Sequence, residues 1–303
     1  MTRIAFIGLG HMGAGMAANQ AKAQHHVAAF DLSAAALDQA QANGCHRAAS
    51  VAEAVADAEV VITMLPAGQH VRDAFIGQVI PNAPKGALLI DCSTIDVDSA
   101  RAVGAAAAEA GLRFADAPVS GGIMAADAGT LTFMVGCDEA DYAAVEAGLK
   151  PMAKAVVHAG APGAGQAAKI CNNMVLGISM LGVCEAFALA ERLGLAPDKF
   201  FEIASQSSGQ CWSLSTYCPW PGVGPSSPAD RGYEGGFLTA LMLKDLKLAQ
   251  EAAAKSGATT PMGAQAEAMY ALIDRLGFGQ KDFSAALQLL RGNLEHRAKG
   301  TPA

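Results

Sequence analysis

Lys169, Asn172 and Asn173 are the residues of this chain whose types and spacing most directly suggest chemistry. They open the stretch from Gly163 to about Arg192, GAGQAAKICNNMVLGISMLGVCEAFALAER, in which most other residues are small or apolar. No proline interrupts it, so it reads as one helix of roughly 28 residues, about 42 Å long, apolar on every side and therefore expected to be buried on every side. Offsets of three and four residues place the amine and both amides on one helical face. A buried polar group without a partner costs about 1–3 kcal/mol, so the three are expected to face a cleft. Two readings of the lysine stay open on spacing alone: an amphipathic core residue reaching back to water, or a proton-transfer group that burial makes useful.

The N-terminus carries a second chemical signal. RIAFIGLG (3–10) is a short apolar run suited to a central parallel strand, and Gly8, Gly10 and Gly13 then fill Gly-x-Gly-x-x-Gly ahead of a helical segment. In that pattern the first glycine makes the tight turn, the second lets backbone approach a pyrophosphate, and the third lets helix pack on strand. A second strand, HVAAFD, ends in Asp31, near the offset expected of the acid that binds an adenosine ribose. A carboxylate there repels a 2′-phosphate, and Leu32 and Ser33 supply no arginine to hold one, so NAD is expected over NADP. The competing reading of Asp31 is a surface residue capping the next helix.

The elements that must position these residues follow from the pattern. Strand-like runs at 59–65, 87–91, 113–118, 130–136 and 155–160 alternate mostly with alanine-rich helical segments. We expect a doubly wound α/β sheet of about seven strands over residues 1–162, a Rossmann-type NAD-binding domain. Ligands of such sheets lie beyond the strand C-termini, which makes Leu65, Pro66, Ser93, Thr94, Ser120, Gly121 and Gly122 candidates. The Ser-Gly-Gly turn suits a carboxylate, or is an ordinary turn with a serine cap. Residues 163–296 show only helical periodicity, at about 197–208, 237–256, 260–276 and 282–296, and are expected to form an all-α domain joined to the sheet by the long helix 163–193. Residues 297–303 are expected to be a disordered tail. Between two of these helices lies 207–236, rich in glycine and proline and holding both tryptophans; its length and aromatics predict an ordered lid or pocket wall.

Composition narrows the class. The 303 residues suffice for two domains, and a hydrophobic fraction of 52% supplies their cores. A net charge of −7 without any basic run argues against nucleic acid or an anionic membrane as partner. The uncharged run between Lys169 and Glu185 is shorter than the roughly 20 residues a bilayer span needs. Seven scattered cysteines, with no Cys-x-x-Cys, and no His-x-x-x-His pair predict a metal-free site in a reducing compartment. With the first strand beginning at Arg3, no room is left for a targeting segment, and the expected location is the cytoplasm, or an organelle for a form already processed.

Five motifs in order, FIGLGHMGAGMAANQ, DCSTI, DAPVSGG with AGTLTFMVG, GAGQAAKICNN and LMLKDLKLA, resemble the β-hydroxyacid dehydrogenases over nearly the whole chain. The resemblance implies that Lys169 is the catalytic base and Asn173 its substrate-binding companion. It implies that Ser120, Gly121 and Gly122 hold the substrate carboxylate. Gly8, Leu9, Gly10, His11, Met12, Gly13, Asp31, Leu65, Pro66, Thr94 and Lys244 would contact the cofactor NAD, and Asp245, Trp212, Tyr217 and Phe237 would line the pocket. The 207–236 segment favours 3-hydroxyisobutyrate as substrate, with L-serine, tartronate semialdehyde and 4-hydroxybutyrate as alternatives. A non-catalytic nucleotide-binding module is opposed by the intact lysine. Relatives pair through the helical domain, so a homodimer or homotetramer is expected. Gly15, Met124 and Cys137 depart from the family pattern, the first where proline is usual and the others where small residues are.

Overall fold

The computed structural model describes residues 1–292, which divide into two compact units, 1–169 and 170–292. The end of the helix expected over 282–296, from 293 on, and the tail 297–303 lie outside the described residues.

The first unit is built on a nine-stranded sheet: β1 (Arg3–Ile7), β2 (His26–Phe30), β3 (His46–Arg47), β4 (Val60–Thr63), β5 (Leu88–Asp91), β6 (Arg113–Asp116), β7 (Val119–Ser120), β8 (Leu131–Cys137) and β9 (Ala153–Gly160). The spatial order is β3-β2-β1-β4-β5-β6-β8-β7, with β9 also paired to β8. Nine replaces the expected seven because β3 and β7 are two-residue strands, too short to alternate visibly. Strands β1 to β6 run parallel, whereas β8 is antiparallel to β6 and β7.

Side chains alternate across a strand, and here both sides are apolar because both are covered. Ile4 and Phe6 of β1 pack with Met16 and Ala17 of the first helix, Gly13–Lys22. Ala5 and Ile7 face the other way, onto Val51, Val71, Phe75, Ala100 and Val103 of the helices on the opposite face. From β1 the chain builds outward through β2 and β3, and from β4 through β5 and β6. The reversal between the neighbours β1 and β4 opens a crevice at their C-terminal ends.

The long helix runs from Ala164 to Arg192 and begins in the first unit. Its length and composition alone would admit a bilayer crossing, against the length argument from sequence. Its Met180, Cys184 and Phe187 are instead fully buried in the core of the second unit, with Leu214, Met242, Leu246, Tyr270 and Phe283. The expectation of burial on every side fails: Cys171, Asn172, Val175, Glu185 and Leu189 are exposed, because hydropathy reports what a face tolerates and not what covers it.

Pro197–Ala204, Thr239–Ser256 and Pro261–Ile273 are the other principal helices of the second unit. Residues 283–290 form a 3-10 turn running into a short helix, rather than one continuous helix from 282. The 207–236 segment is ordered. Cys218 and Tyr233 are buried, the Tyr233 hydroxyl donates to Pro219 O at 2.9 Å, and Ser227 with Asp230 makes a capping box.

Candidate active site

At the end of β1 the three glycines separate by what crowds them. Gly8 has φ +94°, and a Cβ there would lie 2.3 Å from Met64 O; one at Gly13 would lie 2.0 Å from Gly8 O. At Gly10 a Cβ would meet nothing within 4 Å. Two glycines thus let the turn close on the protein itself, and the third faces open space. Leu9 is buried beneath the turn, Met12 packs on the core and His11 is exposed. The helix that follows has no side-chain cap at Met12 and no acid in its first turn, whereas Ser33, Ser50 and Asp96 cap helices elsewhere in this unit. Open space over Gly10 beside an uncapped ten-residue helix fits the pyrophosphate of a dinucleotide. Asp31, just past β2, accepts the Leu9 N–H at 2.7 Å and the Ser33 N–H at 2.8 Å. An ionised carboxylate has about four lone-pair sites, so two remain for ribose hydroxyls.

At the ends of β4 and β5 a buried relay sets the backbone. Thr63 Oγ1 and Ser93 Oγ both donate to Asp91 Oδ1, at 2.7 and 2.6 Å, and Ser93 Oγ accepts the Leu65 N–H at 2.7 Å. Leu65 is thereby fixed at the crevice, followed by exposed Pro66. Half-buried Thr94 lies between two bonds of one side chain: Gln166 Nε2 donates to Ser93 O at 2.7 Å, and Gln166 Oε1 accepts the Ile95 N–H at 3.1 Å. Thr63, Asp91 and Gln166 escaped the sequence reading as site residues. A signal existed for two of them, since Thr63 and Asp91 are the polar last residues of two otherwise apolar strands and pair in register.

The Ser120–Gly122 turn follows β7. Gly121 has φ +135° and a Cβ there would meet Ala125 Cβ at 2.6 Å; Gly122 has φ +70° and open space around it. The turn's shape therefore requires both glycines. Gly15, unusual for the family, is explained here: a Cβ would lie 2.3 Å from Asp127 Oδ1, and the same helix docks through Asn19 Nδ2, which donates to Ala126 O at 2.7 Å. Met124 stands 82% exposed two residues beyond the turn, while Cys137 fills the core.

Lys169 closes the first unit, 6% exposed. The helix that carries it is anchored by Asp116, the last residue of β6, which accepts the Gly163 N–H at 2.6 Å and the Gln166 N–H at 2.7 Å. A Cβ at Gly136 or Gly165 would collide with that carboxylate, so glycine at both lets the helix start approach the sheet. Burial pushes the Asp116 carboxyl up to about 6, against the pull of the two N–H groups. His158, one of the two histidines of the second half of the sequence, bonds Cys137 O at 3.0 Å and Glu139 at 3.1 Å.

In the second unit Asn173, one turn beyond Lys169 on the same helix, is buried and donates from Nδ2 to Asp245 Oδ2 at 2.5 Å. Asn172 is exposed and donates to Asn173 Oδ1 at 2.9 Å. Helix Thr239–Ser256 carries buried Asp245 and half-buried Lys244. Trp212, 48% exposed, stacks on Tyr217 with ring centroids 4.7 Å apart. Fully buried Asp282 accepts the Tyr217 hydroxyl and the Phe237 N–H, each at 2.8 Å, and the Ser284 hydroxyl at 2.6 Å. It thus holds Tyr217 by its hydroxyl and Phe237 by its backbone, and Trp212 joins them by stacking on Tyr217. Burial, then the Asp282 charge, raises the Tyr217 phenol, and burial raises Asp282. Asp282 was foreseen only as a helix start.

Comparison with known proteins identifies relatives over both units. Residues 3–160 match the model of the NAD binding domain of 6-phosphogluconate dehydrogenase, and residues 163–290 the NAD-binding model of NADP-dependent 3-hydroxyisobutyrate dehydrogenase. The chain is 48% identical to 3-hydroxyisobutyrate dehydrogenase of Pseudomonas aeruginosa over 296 residues, covering 96% of this chain and 99% of the relative. It is 47% identical to that organism's NAD-dependent L-serine dehydrogenase over 291 residues, covering 95% and 98%. The solved structure of Mycobacterium tuberculosis 3-hydroxyisobutyrate dehydrogenase with L-serine superposes with a TM-score of 0.94 at 48% identity, over 96% of this chain and 99% of that one. The chain belongs to the β-hydroxyacid dehydrogenase family and is an oxidoreductase whose cofactor is NAD.

Proposed function

We propose that the protein oxidises 3-hydroxyisobutyrate to methylmalonate semialdehyde, a step of valine breakdown, with Lys169 as the general base. The observation that carries this reading is a lysine 6% exposed at the anchored start of a helix, with a buried asparagine one turn beyond it. Bound NAD supplies the hydride acceptor. Lys169 Nζ takes the proton of the substrate's primary hydroxyl, and in the reverse direction its ammonium returns a proton to the carbonyl oxygen. A lysine amine ordinarily holds its proton at neutral pH, and this reading requires Lys169 to be neutral when it accepts the substrate proton. Asn173, held by Asp245, orients the reacting oxygen. Ser120, Gly121 and Gly122 take the carboxylate, and Trp212, Tyr217 and Phe237 line the pocket. Asp31 binds the adenosine ribose; Leu65, Pro66, Thr94 and Lys244 complete the cofactor contacts.

L-serine is the second reading, favoured by the 47% identity to an L-serine dehydrogenase and by the solved relative with L-serine. The two substrates differ by a methyl against an ammonium group. A spectrophotometric panel offers NAD and NADP in turn with both enantiomers of 3-hydroxyisobutyrate, L-serine, 3-hydroxypropionate, glycerate and 4-hydroxybutyrate. The highest kcat/KM should fall to 3-hydroxyisobutyrate with NAD; a higher value for L-serine replaces the first reading by the second. Seven free cysteines are compatible with work in the cytoplasm. Val175 and Leu189, 63% and 60% exposed on the long helix, support assembly into a homodimer or homotetramer, which light scattering on the eluting protein would measure.

A further inference from the structure

We propose that Gln166 is a positioning residue that couples the Thr94 loop to Lys169, so that the seat of the cofactor and the seat of the base move as one body. The inference rests on the roles just assigned to Thr94 and Lys169. Its footing is a single fully buried amide that uses one acceptor and one donor on the backbone at either side of Thr94. Water does not compete for those bonds, which makes them worth more than exposed ones. The main-chain N–H of Gln166 is meanwhile held by Asp116, as is that of Gly163. Residue 166 is therefore tied through its backbone to the end of β6 and through its side chain to the loop after β5.

Lys169 lies three residues further, on the same helical face. The first turn of the helix cannot slide or rotate without breaking bonds to both strands. Displacement of a reacting group by about 1 Å costs on the order of 100-fold in rate. A leucine at 166 would fill the space and make neither bond. A glutamic acid there copies the amide only when protonated, since the carboxylate has no hydrogen to give Ser93 O. Asp116 holds the Gln166 N–H, Asp91 holds the Ser93 hydroxyl, Lys169 lies one turn on and the Arg101 side chain reaches Gly163 at the helix start; the two acids favour the protonated form and the two cations, when charged, oppose it.

The test measures kcat, KM, NAD affinity and thermal stability of Gln166→Leu and Gln166→Glu from pH 6 to 9, with Lys169→Ala alongside. Gln166→Leu should lose roughly 10- to 100-fold in kcat, with hydroxyacid KM little changed and NAD bound a few-fold more weakly. Gln166→Glu should recover activity relative to wild type as pH falls, a response that mere loss of packing does not produce. Folded Gln166→Leu with wild-type kcat, or a Gln166→Glu ratio flat across pH, overturns the coupling. Should Lys169→Ala retain turnover, the assignment of the base fails instead, whatever Gln166 does.

Discussion

The two units fix their proposed functional groups by different means. In the first, the groups sit where backbone ends: Gly8 to Gly13 after β1, Asp31 after β2, Leu65 after β4, Thr94 after β5 and Ser120 to Gly122 after β7. Parallel strands, short turns and glycines determine those places, and side chains such as Asp91 refine them. In the second, the described residues supply no sheet edge. Tyr217 and the Phe237 backbone are held by one buried carboxylate, Asp282, and Asn173 is held by another, Asp245. Topology carries the first half of the machinery, and point-to-point polar contacts carry the second.

That contrast can be broken or sharpened by substitution. The largest effect belongs to the last residue of the first unit: Lys169→Ala should lower turnover by about 10²–10⁴ while NAD binding, measured by calorimetry, is retained. Near wild-type turnover would remove the proposed mechanism. Next comes Asp282→Ala, which strands the Tyr217 and Ser284 hydroxyls and the Phe237 N–H; at 1–3 kcal/mol per buried orphan the expected loss is about 3 kcal/mol or more. Denaturant unfolding measures it, with a rise in hydroxyacid KM and unchanged NAD affinity. An unaffected KM would mean that Asp282 serves the fold alone.

Asp116 probes the first unit through pH. Its folded value is raised to about 6 against an ordinary 3.8, so the native state binds the proton more tightly than the unfolded chain. Its contribution to stability is therefore full below the unfolded value and is lost as pH rises through the folded one. Wild type should gain on Asp116→Asn between pH 7 and pH 4, by up to about 3 kcal/mol. A gap between the two that stays constant over that range contradicts the buried carboxylate. The smallest effects come from the glycines, and they should differ in kind. Gly13→Ala meets the protein and should cost about 1–3 kcal/mol of stability. Gly10→Ala meets only open space, so its melting temperature should hold while NAD binding weakens. Equal behaviour of the pair would deny that Gly10 borders the cofactor.

The same contrast explains what could be read in advance. RIAFI and VVIT announce buried strands by run and spacing, and Gly8, Gly10, Gly13 and Asp31 announce a dinucleotide site by offset, because each signal is local in sequence. β3 and β7 escaped because two residues carry no period. Gln166 and Asp116 escaped because their partners lie 47 to 73 positions away and nothing in a glutamine's neighbours says where its amide will point. Asp282 is separated from Tyr217 by 65 residues, and its role exists only after folding. Exposed Val175 and Leu189 show the limit of face arithmetic: a helical wheel places a side chain on a side without saying whether anything covers it.

The bare amino end of the first helix has a bearing on the life of the protein in a cell. No side chain caps its leading N–H groups, so a dinucleotide phosphate bound there would supply an acceptor and help to finish a piece of secondary structure as well as serving the reaction. Occupancy at 100 times Kd adds about 2.7 kcal/mol to the folded state. The abundance of this enzyme should accordingly follow the nucleotide pool: starvation for NAD would leave more of the chain open to proteases, and repletion would spare it.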